Sequence, residues 1–312
     1  MMRQNQRATP AMASVLLVAA AQLVQAQTTD GVRFLTLAPG TGLPVIPVME
    51  GWVANEDGSR MISFGFINRN TEAVDIPLGP DNYIEPIEFD GRQPTHFHTG
   101  RGTGVFAVTV PADRMTEDVW WYLRTGDGEL LKVPGRSGVP AYQLDFIRPR
   151  PQGSLQPLAG FGEEGPRSSG LFAPLEDYEG QVRAGEPVTL TVNVADLSER
   201  DPSDPRFGEP LPIGVRFNKW QGPGDVTFAR HESMQVPENP YDEDDPEWSS
   251  WEASEPNDLE VAGPSGIARV IAHFSAPGAY VISVKVDNFS APDSTDKDQC
   301  CWTNIFQRIT VR

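Results

Sequence analysis

Gly266-Ile-Ala-Arg-Val-Ile-Ala-His-Phe-Ser275 runs into Ala276-Pro-Gly-Ala-Tyr-Val-Ile-Ser-Val-Lys-Val-Asp-Asn288, and the chain closes on Ile305-Phe-Gln-Arg-Ile-Thr-Val311. The runs are rich in β-branched residues, with Val281, Val284 and Val286 spaced along the second, and a Pro-Gly turn separates the first two. Such runs divided by a tight turn predict the closing strands of an immunoglobulin-like sandwich. Tyr280 stands just after the turn, where a tyrosine can return its hydroxyl to nearby backbone while its ring joins the core. The same pattern extends backwards. Glu186-Pro-Val-Thr-Leu-Thr-Val-Asn-Val194 alternates cleanly, Leu211 to Trp220 and Gly224 to Phe228 follow, and Trp220 is the aromatic expected to fill the sandwich core. A long acidic insertion, residues 231–264, precedes the closing strands.

Further towards the N-terminus, Val45 to Val53 and Arg60 to Ile67 flank Asn55-Glu-Asp-Gly58, a strong hairpin signal. Ile62, Phe64 and Phe66 share one face of the second run. Short runs at residues 73–76, 95–98, 104–110, 119–124 and 129–133 complete a first sandwich, and residues 142–147 read as its last strand. Between the modules, residues 148–180 pass through Arg-Pro-Arg-Pro and Gly-Glu-Glu-Gly-Pro, a linker by composition. The expected fold class is therefore all-β: a β-sandwich domain over residues 27–147, a Pro/Gly-rich linker over 148–180 and an immunoglobulin-like sandwich over 181–312. The 29 Gly and 29 Pro among 312 residues suit many short strands and turns.

The first 26 residues read as a signal peptide. Arg3 and Arg7 open it, residues 11–24 are apolar, and Val24-Gln-Ala26 is a small-residue cleavage site. Cleavage near Ala26 would leave an exported protein, periplasmic or extracellular, with no membrane insertion in the mature chain. The formal charge is -18, from 25 Lys and Arg against 43 Asp and Glu. Removing the two signal-peptide arginines leaves 23 against 43, or -20. Such a surface repels phosphate backbones, so nucleic acid is not an expected partner. A protein or polysaccharide ligand is.

Several motifs together are specific: Glu50-Gly-Trp52, Ser63-Phe-Gly-Phe-Ile-Asn-Arg-Asn70, Ile76-Pro-Leu-Gly-Pro-Asp-Asn82, Gln93-Pro-Thr-His-Phe97, Gly104-Val-Phe106 and Cys300-Cys-Trp-Thr-Asn304. In these the chain resembles a family of exported bacterial proteins, over nearly its whole mature length. The resemblance implies export and two β-rich domains, and no activity. Where that family tends to carry a basic run, this chain has His98-Thr-Gly-Arg-Gly102. Residues 277–287 are similar to the end of polycystic-kidney-disease-type immunoglobulin-like modules, which implies fold rather than function.

Three places could carry chemistry. His96-Phe-His98 in an extended segment projects both imidazoles from one face, as two ligands of a copper or zinc site, with Asp90 or Glu88 near enough in sequence to add a carboxylate. The bland alternative is an imidazole hydrogen-bonded in the core and another exposed. Asp293, Asp296 and Asp298 crowd one loop and offer hard oxygens to calcium, although the spacing is not that of an EF-hand and charge runs are commonly just solvated. Cys300 and Cys301 are the only cysteines. Adjacent Cα atoms lie about 3.8 Å apart, short of the roughly 4.4–6.8 Å of ordinary disulfides. A bond between them would be strained. It could stiffen the loop or act as a labile redox pair; an intermolecular bridge and a soft-metal site are the other options.

Trp120-Trp121 and Trp248-Ser-Ser-Trp251 raise sugar stacking, with only one of the first pair able to face outward on a strand. No nucleophile elbow, zinc-protease helix or phosphate loop is present, and Gly100-Arg-Gly-Thr-Gly104 reads as a turn. The expected function is a non-enzymatic binding, adhesion or structural protein. Periplasmic metal binding is the alternative, and a polysaccharide-binding or hydrolysing module the weaker one.

Overall fold

The computed structural model describes residues 41–144, 153–208, 211–239, 241–250, 253–294 and 301–312. The signal peptide, most of the segment up to Leu43, residues 145–147 of the expected strand, Trp251, Asp296, Asp298 and Cys300 lie outside them. Residues 41–312 form one compact unit.

The N-terminal module is a small sandwich. Strand β1 (Ile46–Ala54) turns through Asn55 and Gly58 into β2 (Arg60–Asn68), and β3 (Val74–Asp75) and β4 (Asn82–Glu85) follow. Next come β5 (His96–Phe97), β6 (Gly100–Val110), β7 (Val119–Leu123) and β8 (Leu131–Gly135). One sheet has the order β1-β2-β6, another β4-β7-β8, and β3 pairs β5. Alternation works as the sequence predicts: Ile62, Phe64 and Phe66 are at most 1% exposed and meet Phe97, Phe106 and Trp121 in one core. Phe64 stacks on Phe106 at 5.2 Å, and Trp121 meets Phe106 edge-on at 5.1 Å. Gly100 to Gly104 is not a separate turn but the start of β6. A shift in the β2–β6 register between Phe64 and Phe66, with Gly104 at φ +54°, bends the strand there. A side chain at Gly102 would meet the Phe66 ring at 2.6 Å, so only glycine lets β6 pass so close.

The stretch expected as a linker supplies two further strands, β9 (Leu158–Phe161) and β10 (Leu175–Asp177). Their signal is weak because each is short and β10 pairs parallel with only three residues of the final strand. The C-terminal module continues with β11 (Pro187–Ala195), β12 (Ile213–Gln221), β13 (Val226–Arg230), β14 (Asp258–Val261), β15 (Ser265–Phe274), β16 (Gly278–Asp287) and β17 (Trp302–Val311). Two sheets, β13-β15-β11-β9 and β10-β17-β16-β12-β14, face each other as an immunoglobulin-like sandwich. The acidic insertion thus contains β14, which lies beside β12.

On β16 the buried face is Tyr280, Ile282, Val284 and Val286; Val281 points the other way. Tyr280 is fully buried and its hydroxyl donates to the Ala276 carbonyl at 2.8 Å. Trp220 does not fill this sandwich core. It sits on the face of β12 opposite Val215 and Phe217 and belongs to the N-terminal core, edge-on to Phe106 at 6.1 Å and Phe306 at 5.3 Å. The two modules therefore share hydrophobic contacts. Polar contacts join them too. Thr95 donates its backbone N–H to the Trp220 carbonyl at 2.9 Å, and the Asn304 amide donates to the Gly104 carbonyl at 2.8 Å.

Candidate functional site

A crevice runs along the seam between the modules. One wall is β5 and the start of β6, with His96, His98, Arg101 and Thr103. The other is the outer face of β12, β16 and β17, with Arg216, Asn218, Trp220, Ser283, Lys285 and Asn304. An outer compartment of about 440 Å³ shares Arg101, Thr103, Arg216 and Lys285 and adds Asp287, Phe289 and Ser294.

Strand geometry places these groups. Phe97 is fully buried, so its neighbours His96 and His98 point to the other side, into the crevice. On β12 the inward residues are Ile213, Val215 and Phe217, which leaves Arg216, Asn218 and Trp220 facing the N-terminal module. A bulge between Lys219 and Gln221 re-aims Lys219, which alternation alone would send into the sandwich core. Its ammonium instead reaches both Asp75 oxygens, at 3.0 and 3.2 Å.

The imidazoles are oriented in the same way. His96 Nδ1 lies 2.9 Å from Asp75 Oδ1, and His98 Nδ1 lies 2.7 Å from the Thr99 carbonyl. Facing a carbonyl, His98 Nδ1 must carry the proton, which leaves its Nε2 as an acceptor. Burial pushes the His98 pKa down, against the raising effect of that hydrogen bond, and the positive charges of Arg216, His96 and Lys285 push the same way as burial. The His98 ring also stands edge-on to Phe66 at 5.0 Å. Asp75 carries no motif of its own in the sequence. Burial raises its carboxyl, but hydrogen bonds and charge from His96 and Lys219 outweigh that and hold it below the usual carboxylate range. Nothing in a two-residue strand signals such a role, since Lys219 is 144 positions away.

The other carboxylates suggested for His96 and His98 are committed elsewhere. Asp90 Oδ1 accepts from the Ile84 backbone at 2.9 Å and from Gln93 Nε2 at 2.7 Å, and Glu88 pairs with Arg114. His231 bonds Ser233, and His273 lies on β15 in the opposite sheet. No group of three or more His, Cys, Asp or Glu arranged to hold a metal occurs among the described residues. Asp293 is bound to Arg200 Nε at 3.1 Å and to Ser154 Oγ at 3.1 Å, so a guanidinium already neutralises it. Asp296 and Asp298 are outside the described residues, as is Cys300. Cys301 is fully buried at the start of β17. Of the tryptophan pair, Trp121 is buried and Trp120 faces out, with the Lys132 ammonium 4.6 Å from its ring centre. Trp248 is 39% exposed.

Asp287 closes the outer compartment. Burial pushes its carboxyl up, against the lowering effect of the Phe289 backbone N–H and the charges of Lys285 and Arg216. Lys285 donates to the Thr103 carbonyl at 2.7 Å and lies over the Trp302 and Phe289 rings at 5.2 and 5.6 Å.

Fold and crevice together define an all-β protein of tandem sandwiches with a polar cleft at their junction. No family model matches the chain, and no curated protein matches it. Solved structures similar to it include a CARDB domain from Pyrococcus furiosus, at 10% identity over 50% of this chain and 96% of that one, with a TM-score of 0.22. The D0-D1 domain of intimin aligns at 11% identity over 86% and 96%, also with a TM-score of 0.22. Domains 4 and 5 of the S-layer protein SbsC align at 12% over 86% and 98%, again at 0.22. Scores this low carry no argument about this chain. No helix among the described residues is long and apolar enough to cross a membrane.

Proposed function

We propose that this is an exported, non-enzymatic binding protein whose ligand occupies the crevice between the two sandwiches. The observation that carries the reading is the convergence in one cleft of His96, His98 and Arg101 from one module with Arg216, Asn218 and Lys285 from the other. Ligand sites favour such junctions, where concave surface and polar groups from two bodies meet. Several of these donors are already held in place by hydrogen bonds, Arg101 on Glu50 and Arg216 on Asp258 within their own modules and Lys285 on the Thr103 carbonyl across the seam, so little ordering cost opposes binding. Thermal unfolding of the purified protein against panels of metal ions, neutral glycans and organic anions tests this. A ligand that raises the melting temperature, and loses that effect in Asn218→Ala, supports it; a flat response to every class refutes it. Export is tested by sequencing the N-terminus of the protein secreted from cells, which should begin at Gln27.

A second reading, a copper or zinc site, is favoured by one observation. Histidines that bind metals usually donate their other ring N–H to a carboxylate or carbonyl. His96 and His98 have these partners, with each Nε2 left for a ligand. Against it stand the nearby Arg216, Lys219 and Lys285, which repel a divalent cation. Zinc and copper calorimetry on His96→Ala and His98→Ala decides, and heats equal to those of the unaltered protein end this reading. For Cys300 and Cys301 we propose a vicinal disulfide, which a peptide mass two hydrogens lower before reduction would reveal.

A further inference from the structure

A second groove opens on the same sheet face, past Trp220. It is lined by Trp220 of β12, Val281 of β16, Phe306 of β17 and Leu175 of β10, with Phe172 beside them. These strands belong to one sheet, and the alternation that sends Val284 and Ile305 into the sandwich core turns Val281 and Phe306 outward. The rings follow one another closely: Phe172 lies 4.3 Å from Phe306, and Phe306 lies 5.3 Å from Trp220. Leu175 is 40% exposed there. The groove holds about 420 Å³, within the range of small-molecule sites, and among the described residues it shares only Trp220 with the crevice.

Among the described residues the lining of this groove contains one charged side chain, Arg92, and no acid. The backbone that carries Arg92 is fixed. Gln221 Nε2 donates to the Gly91 and Gln93 carbonyls at 3.0 and 2.8 Å, and Trp220 Nε1 donates to the Arg92 carbonyl at 3.2 Å. Three successive carbonyls are thus tied to β12, and the side chain leaves from a set point. Its guanidinium lies over the Phe172 ring, 5.6 Å from the centroid. Stacking engages the flat face of the guanidinium and leaves its five N–H donors, which point outward in the plane. Arg114, Arg136, Arg206 and Arg216 each meet a carboxylate. Arg92 is exposed and meets none among the described residues.

We propose that this groove binds a small apolar monocarboxylate, with its carboxylate on Arg92 and its hydrocarbon body against Phe172, Leu175, Trp220 and Phe306. One guanidinium without an acid beside it complements one negative charge, and its fork of donors matches the two oxygens of a carboxylate. At physiological salt exposed charges are screened beyond about 8 Å. The local lining therefore counts for more than the charge of -18 carried by the whole chain. The open apolar rings supply the rest of the attraction, since covering them removes hydrocarbon from water on both sides. An extended peptide fits less well. Strand β10, the sheet edge at this groove, pairs over only three residues and is too short to template another strand.

Calorimetry of the purified protein with 3-phenylpropionate, octanoate and 3-phenylpropionamide tests the proposal. One or both acids should bind, and the amide, which has the same body without the charge, should bind at least about tenfold more weakly. Arg92→Gln should weaken binding of the acids about tenfold and leave the melting temperature unchanged, because the side chain is exposed. Leu175→Glu alters a residue already open to solvent, sets a like charge in the groove and should abolish binding; it is the deciding variant if Arg92→Gln does not fold. No heat from either acid, equal binding of acid and amide, or an affinity unchanged in Arg92→Gln overturns the proposal. Tighter binding of the tripeptide Gly-Gly-Phe than of 3-phenylpropionate overturns it in favour of a chain terminus. Self-association in sedimentation that Leu175→Glu abolishes overturns it in favour of a second copy of this chain.

Discussion

Replacing Asp75 with Asn should destabilise the whole unit, because it strips the counter-charge from a buried ammonium. The Lys219 side chain is 3% exposed and its Nζ is held by both Asp75 oxygens, while the Asp75 side chain is 48% exposed. Removing one partner of a fully buried pair costs about 3–5 kcal/mol. Water reaches one half of this pair, which reduces the expected cost to about 2 kcal/mol. For a unit of this size that is about 4–8 °C in melting temperature. Guanidinium unfolding of the unaltered protein, Asp75→Asn, Lys219→Met and the double variant would measure it, with the slope on denaturant checked for constancy. Lys219→Met removes the charge itself and should fall within about 1 kcal/mol of the unaltered protein, and adding Asp75→Asn to it should change little further. The pH dependence has a definite sign. The folded carboxyl has a pKa below its unfolded value near 3.8, so the unfolded chain binds more protons between the two. The stabilisation is present above that unfolded value and is lost as pH falls through the folded one, and Asp75→Asn should lack that acid limb. If Asp75→Asn shifts stability by under about 0.5 kcal/mol, or if the two substitutions simply add, the pair is not the clamp described.

Trp220→Ala should cost about 3–5 kcal/mol and still give one unfolding transition, because the ring belongs to a core drawn from both modules; two separated transitions by calorimetry would refute the shared core. Tyr280→Phe removes only the hydroxyl that reaches Ala276 and should cost about 0.5–1.5 kcal/mol in denaturant titration. Asp287→Asn should raise stability at neutral pH, with the gain fading below the unfolded carboxyl pKa. The folded group is pushed up by burial, so its native form is favoured at low pH and loses stability as pH rises; a variant less stable at pH 7 would contradict this.

Much of the sandwich was legible because strand periodicity is local. Ile62, Phe64 and Phe66 alternate with polar or small neighbours, and a two-residue period sends them to one face wherever the strand lies. Strand β4 was missed because Asn82-Tyr-Ile-Glu85 is short and mixed, and Asn82 is buried for its side chain, which bonds the Ile76 and Pro94 carbonyls at 2.9 and 2.7 Å. Strands β9 and β10 have the composition of a linker for a related reason. Glycine and proline dominate their surroundings, and their partners lie far along the chain.

Sequence alone determined the class of fold, since hydrophobic period and turn chemistry act over a few residues. It also placed His96 and His98 on one face of an extended segment. It could not say which surface that face would meet. Trp220 looked like the pin of one sandwich and became the hinge of contact between two, because a bulge at Lys219 and the packing of Phe106 and Phe306 are settled only when distant strands come together. The crevice has the same origin: Asp75 and Lys219, or Arg101 and Arg216, become neighbours only in the folded protein, through contacts that no local pattern records.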